Sequence, residues 1–130
     1  MHLKLLILSF ATIVVCTHSN VEKIEKAFVF CSENYNVSFP EYKEKFQFAT
    51  LTDDETNNVK CFVNCVYTEA YPNKIDQESG KLIFEEMTKE NDGTVFLNHV
   101  RSCFESKLDD KCETTFKHHI CYTSTLVHKD

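Results

Sequence analysis

Glycine and proline are scarce, at two residues each in a chain of 130. Sheet-rich folds punctuate their strands with such residues, so the scarcity argues against strands and hairpins. Adjacent cysteines are absent, as are any nucleophile motif, internal repeat, low-complexity stretch or linker. Positive charge is in short supply too: 14 Lys and Arg stand against 20 Asp and Glu. A net negative chain gains nothing from counterion release on a phosphate backbone, and anionic lipid does not attract it. Nucleic acid is therefore not an expected partner, and the acidity reads as simple solubility.

A membrane-length apolar run is also missing. The longest such stretch, Leu5 to Val15, is broken by Ser9 and Thr12, and a spanning helix needs roughly 20 residues. With Lys4 before it and Thr17, His18 and Ser19 after it, the stretch has the three-part layout of a secretory signal. Residues 1–19 are thus expected to be a signal peptide. Residues 20–130 then form one mature domain of 111 residues with a net charge of −7, secreted, extracellular and without membrane insertion.

What the chain does have is cysteine and aromatic residues. Of seven cysteines, Cys16 leaves with the signal; Cys31, Cys61, Cys65, Cys103, Cys112 and Cys121 remain. An even number in an oxidising compartment predicts three disulfides and no free thiol. Ten Phe and five Tyr in residues 20–130 supply a hydrophobic core as well.

The periodicities are helical throughout. Ile24, Ala27, Phe28 and Cys31 share one face of a first helix. Ser38 and Glu41 suggest a capping box for a short second helix over residues 40–48. Thr52 and Glu55 suggest another for the third, whose stripe runs through Val59, Phe62, Val63, Val66, Tyr67 and Ala70 until Pro72 stops it. A fourth helix is expected over residues 79–89, and Asn91, Asp92 and Gly93 form a turn. A fifth starts at Thr94 and carries Val100, Cys103, Phe104 and Leu108; a sixth covers residues 110–123, with Phe116 and Ile120 facing inward. The expected fold is all-α, with about six helices in one domain.

Cys61 and Cys65 lie one turn apart on the third helix and project from one face. A bridge between them would distort that helix, so each must reach another element. Twelve of the fifteen pairings remain open on this reasoning.

The intervals between successive cysteines are 29, 3, 37, 8 and 8 residues. This pattern resembles the insect pheromone- and general odorant-binding proteins, whose signature is a long gap, three residues, a second long gap, then two short gaps ending in eight. The resemblance covers the chain from the first helix to the last cysteine. Secreted phospholipases and plant lipid-transfer proteins both need adjacent cysteines and do not fit. The resemblance implies helices arranged around a hydrophobic pocket, stapled by three interlocked disulfides: Cys31–Cys65, Cys61–Cys112 and Cys103–Cys121. It further implies a carrier of small hydrophobic ligands, odorant- or pheromone-like, that can deliver its guest to a chemosensory receptor. The alternative keeps the fold for a non-olfactory scavenger or interaction protein of saliva, venom, seminal fluid or haemolymph. Nine residues follow Cys121, so a tail helix that fills the pocket, as in some relatives, is not expected.

Each apolar position taken singly reads as core. As a set, under the resemblance, they become candidate pocket lining: Phe62, Val66 and Tyr67 on the third helix, and Phe84 and Met87 on the fourth. Val100 and Phe104 on the fifth helix, with Phe116, His119 and Tyr122 on the sixth, complete the candidates. Tyr67 and Tyr122 follow the third and sixth cysteines closely, where relatives tend to face the ligand, and each offers a hydroxyl to a guest oxygen. His118 and His119 invite a zinc reading, but neighbouring helical residues point about 100° apart and the flanking cysteines are oxidised, so no metal is expected. A pH switch at His119 is the second reading, and ordinary surface histidines the plainest. Asn36, Val37 and Ser38 form a glycosylation sequon. No constellation supports an enzyme, and no cofactor is expected.

Overall fold

The most continuous apolar stripe of the sequence becomes the central helix. The structure, a computed structural model, describes residues 21–47, 50–89 and 94–127. The expected signal peptide over residues 1–19 and the expected turn at Asn91–Gly93 lie outside these residues. Among the described residues are six α-helices: α1 over residues 21–35, then α2 (Phe39–Gln47), α3 (Asn57–Ala70), α4 (Phe84–Thr88), α5 (Thr94–Arg101) and α6 (Lys111–Val127). Single 3-10 turns follow α3 at Pro72–Lys74 and α5 at Ser102–Phe104. The described residues contain no strand; one isolated bridge joins Ile75 to Leu82.

The helix α3 buries Val59, Phe62, Val63, Cys65, Val66, Tyr67 and Ala70 and packs along α6. Its start corrects the expectation drawn from Thr52 and Glu55. Those two do find each other, with the Thr52 amide donating to Glu55 Oε2 at 3.2 Å, but they close a separate turn one step earlier. The cap is Thr56, whose hydroxyl accepts from the Val59 amide at 3.4 Å. A capping-box pair is a local device, and here a second Thr four residues on stands nearer the apolar stripe.

The fourth helix is also shorter than expected, because residues 76–83 are captured by a turn. Asp76 accepts from the Glu78 amide at 3.2 Å and the Ser79 hydroxyl at 2.8 Å, and its carbonyl accepts from the Gly80 amide at 2.7 Å. Gly80 sits at φ +81°, where a Cβ would lie 2.2 Å from the Lys111 carbonyl oxygen. Only glycine permits that approach. Leu82 thus enters the core from an extended segment, and α4 begins at Phe84. Leu108 falls in the loop after the second 3-10 turn rather than in α5, and α6 runs on to Val127. Asp110 caps α6, accepting from the Cys112 amide at 2.7 Å.

Three disulfides fix this arrangement. Cys31–Cys65 ties α1 to α3, Cys61–Cys112 ties α3 to α6, and Cys103–Cys121 ties the turn after α5 to α6. The Cα separations of 5.7, 4.7 and 5.6 Å suit unforced bridges. Cys61 and Cys65 reach different helices, which makes α3 the shared strut. Each bridge typically stabilises by about 2–4 kcal/mol, chiefly by restricting the unfolded chain. Lys60 adds an ion pair to Glu113 across α3 and α6 at 2.7 Å, and Lys43 pairs with Glu25 between α2 and α1.

Candidate functional site

Nine of the ten candidate residues come together in one apolar cluster, and the tenth, His119, is buried against its members Phe46 and Tyr67. Phe62, Val66, Tyr67, Val100, Phe104, Phe116, His119 and Tyr122 are buried, while Phe84 and Met87 are half-buried at its margin. Four solvent-facing clefts of about 420–540 Å³ lie elsewhere on the surface, and none of the ten lines them. The candidates pack on one another instead, in two neighbourhoods on different faces of α6.

The first neighbourhood centres on Phe104. Its ring meets Phe84 and Tyr122 edge-on, with centroids 5.6 Å away in both cases, and His118 at 5.8 Å. The Tyr122 hydroxyl donates to the Met87 carbonyl at 3.0 Å. Contrary to the surface placement expected from the sequence, His118 has no exposed area at all. Its Nδ1 accepts from the Leu82 amide at 3.2 Å, and its Nε2 donates to the Ser106 carbonyl at 2.7 Å. This fixes the tautomer and spends both nitrogens on backbone. Thr115 supports the same region, accepting from Asn64 at 2.9 Å and donating to the Gly80 carbonyl at 2.5 Å.

The second neighbourhood centres on His119, also buried, at 1 % exposure. The Tyr67 hydroxyl lies 2.7 Å from its Nδ1. Phe46 of α2 stacks over the imidazole at 4.3 Å, and Tyr67 meets it edge-on at 5.5 Å. Phe46 in turn meets Phe28 of α1 at 5.3 Å. The His119 Nε2 is buried and has no hydrogen-bond partner among the described residues. Desolvation depresses its pKa to about 3, so the folded protein keeps this imidazole neutral in mild acid. Burial also pushes the Tyr67 phenol well above its ordinary value. A proton switch at His119 in the native state is therefore not what this geometry provides.

Phe46, His118 and Thr115 were missed in the sequence as members of the core. A signal for two of them exists: on α6, Cys112, Thr115, Phe116, His119 and Tyr122 continue one helical spacing, and Thr114, His118 and Tyr122 another. Asn36 lies outside the cluster, exposed in the turn after α1 at φ +54°. The Val37 amide donates to the Ser32 carbonyl at 3.1 Å and closes the helix end around it.

The model of the PBP/GOBP family matches residues 16–125. The chain belongs to that family. Its members are binding proteins and carriers rather than enzymes. Among solved structures, the chain is similar to Odorant Binding Protein 7 from Anopheles gambiae, which has four disulfide bridges and is in complex with an azo compound. The two share 18% identity with a TM-score of 0.58 over 80% of this chain and 83% of that one, a likeness of fold. No curated protein matches. No described helix is long and apolar enough to cross a membrane.

Proposed function

We propose that this chain is a secreted carrier that binds a small hydrophobic molecule, odorant- or pheromone-like, among the cluster residues between α3 and α6. Membership of the PBP/GOBP family over residues 16–125 carries this reading. The physical support is a core rich in aromatic side chains, with Met87 at its margin, inside a stapled frame. A guest enters by shifting Phe84, Met87 and Phe46, which are only half-buried, and the three covalent links offset the cost of making room. Met87 is suited to this because its unbranched thioether repacks readily. A ligand that buries about 300 Å² of apolar surface gains roughly 7 kcal/mol before association costs, so affinities near micromolar are expected. Weak enough to reverse, such binding suits delivery to a chemosensory receptor.

Secretion is part of the proposal: cleavage near Ser19 leaves an even number of thiols to oxidise. The sequon at Asn36 is exposed and is proposed to carry a glycan. A scavenger in another body fluid binds its guest among the same residues; an interaction protein does not.

Titration of the oxidised mature protein with a fluorescent anilinonaphthalene probe tests the reading. Saturable binding that a long-chain apolar competitor displaces is the expected outcome. Probe fluorescence that never saturates, or that no competitor reduces, overturns the carrier in favour of the interaction protein.

A further inference from the structure

The His119 ring raises a question of hydrogen-bond accounting that the carrier reading alone leaves open. One nitrogen faces the Tyr67 hydroxyl at 2.7 Å and the other has no partner among the described residues. Two proton placements are possible. With the proton on Nδ1, the imidazole donates to Tyr67; the phenol proton then has no acceptor among the described residues, and the Nε2 lone pair has no donor. With the proton on Nε2, Tyr67 donates to Nδ1 and one group alone is unmatched, the Nε2–H. Each buried polar group left without a partner costs about 1–3 kcal/mol, so the second placement is favoured. The phenol is also the stronger acid of the two and the imidazole nitrogen the stronger base, which argues the same way. The burial that keeps the ring neutral down to pH about 3 removes the doubly protonated alternative.

The unmatched group is thus a donor, held in one orientation by Tyr67 beneath and Phe46 stacked across the ring face. Hydrocarbon cannot satisfy it, and neither can a group that only donates. We infer that His119 Nε2–H is the polar anchor of the guest, and that the guest class is an apolar chain bearing an oxygen that accepts a hydrogen bond, such as a ketone, aldehyde or ester. This rests on the carrier reading above and deepens it, since Tyr67 then acts as a positioning residue that sets the tautomer and does not touch the guest. Among the candidate residues, the Tyr122 hydroxyl already donates to the Met87 carbonyl at 3.0 Å and the Tyr67 hydroxyl is engaged with His119, so His119 Nε2–H is the donor these residues offer to the guest.

Methyl nonyl ketone and n-undecane, equal in carbon count, separate the possibilities when each displaces the anilinonaphthalene probe from wild type and from His119→Phe. The ketone-to-alkane affinity ratio is expected to fall about tenfold in the variant, the value of one buried hydrogen bond. An unchanged ratio with both compounds still displacing the probe overturns the anchor and leaves the carrier standing. Failure of both compounds to displace the probe from wild type removes the carrier and the anchor together. Nitrogen-15 NMR of histidine-labelled wild type needs no variant to fold. It is expected to show the His119 proton on Nε2, with a resonance that moves on adding the ketone and not the alkane. A proton found on Nδ1, or a resonance indifferent to the ketone, refutes the assignment.

Discussion

The two neighbouring histidines of α6 divide the core into a pinned side and an open side. On the pinned side, His118 uses both nitrogens to tie the Leu82 amide to the Ser106 carbonyl, and Gly80 lies hard against the Lys111 backbone. On the open side, His119 has Tyr67 on one nitrogen and nothing described on the other. Both rings are equally buried, so burial alone does not separate structural from functional histidine. What separates them is whether the hydrogen-bonding capacity is spent. A satisfied buried polar group rigidifies its surroundings, while an unsatisfied one is a standing cost that a ligand can relieve.

The contrast can be broken most forcefully at Gly80. Gly80→Ala puts a Cβ into the Lys111 carbonyl and forces a side chain to φ +81°. A loss of about 3–5 kcal/mol in denaturant unfolding with disulfides intact is expected, from strain and overpacking together. A loss under about 1 kcal/mol would show that the pinned side yields more easily than its geometry implies. Next comes the histidine pair itself. His118→Phe strands an amide and a carbonyl and is expected to cost about 3 kcal/mol, whereas His119→Phe removes an unpaired donor, strands only the Tyr67 hydroxyl, and stays within about 1 kcal/mol of wild type. Equal losses from the two variants would erase the distinction between the sides.

The most diagnostic readout is acid sensitivity. His119 titrates at about 3 when folded against an ordinary 6.5. Above pH 6.5 neither state binds the proton and stability does not change on this account. Between 6.5 and about 3 the unfolded chain takes up a proton that the folded chain refuses, so stability falls as pH falls, by up to about 1.4 kcal/mol per pH unit. His118 is lowered too, mainly by desolvation, and acts in the same direction. Unfolding free energies measured from pH 7 to pH 4 should slope less steeply in His119→Phe than in wild type; parallel slopes count against a neutral buried imidazole.

Much of this fold was legible in the sequence because the signals were local. The stripe from Val59 to Ala70 has helical spacing whatever surrounds it, and the cysteine intervals carry the family. The start of the fourth helix was not legible, because it depends on a tertiary fact: the Gly80 backbone lies against Lys111, thirty-one positions away in sequence, and the Asp76 turn competes locally for residues 76–80. Capping at Thr56 rather than Thr52 turned on which of two similar residues adjoined the packed stripe. His118 eluded a local reading for a related reason, whereas His119 was among the interior candidates. A His on an amphipathic helix looks like surface until the partners that bury it are known, and those partners, Phe46 and Tyr67 for one, Leu82 and Ser106 for the other, come from distant segments.

Sulfur placement has one more mechanical outcome. The helices α1, α3 and α6 contain the bridged cysteines, and α5 ends two residues short of Cys103. Of the six described helices, only α2 and α4 stand well clear of any bridge. They hold Phe46 over His119 and Met87 beside Tyr122. Among the described helices, swelling of the interior therefore meets least covalent resistance at these two panels, which makes them the doors of a largely welded frame.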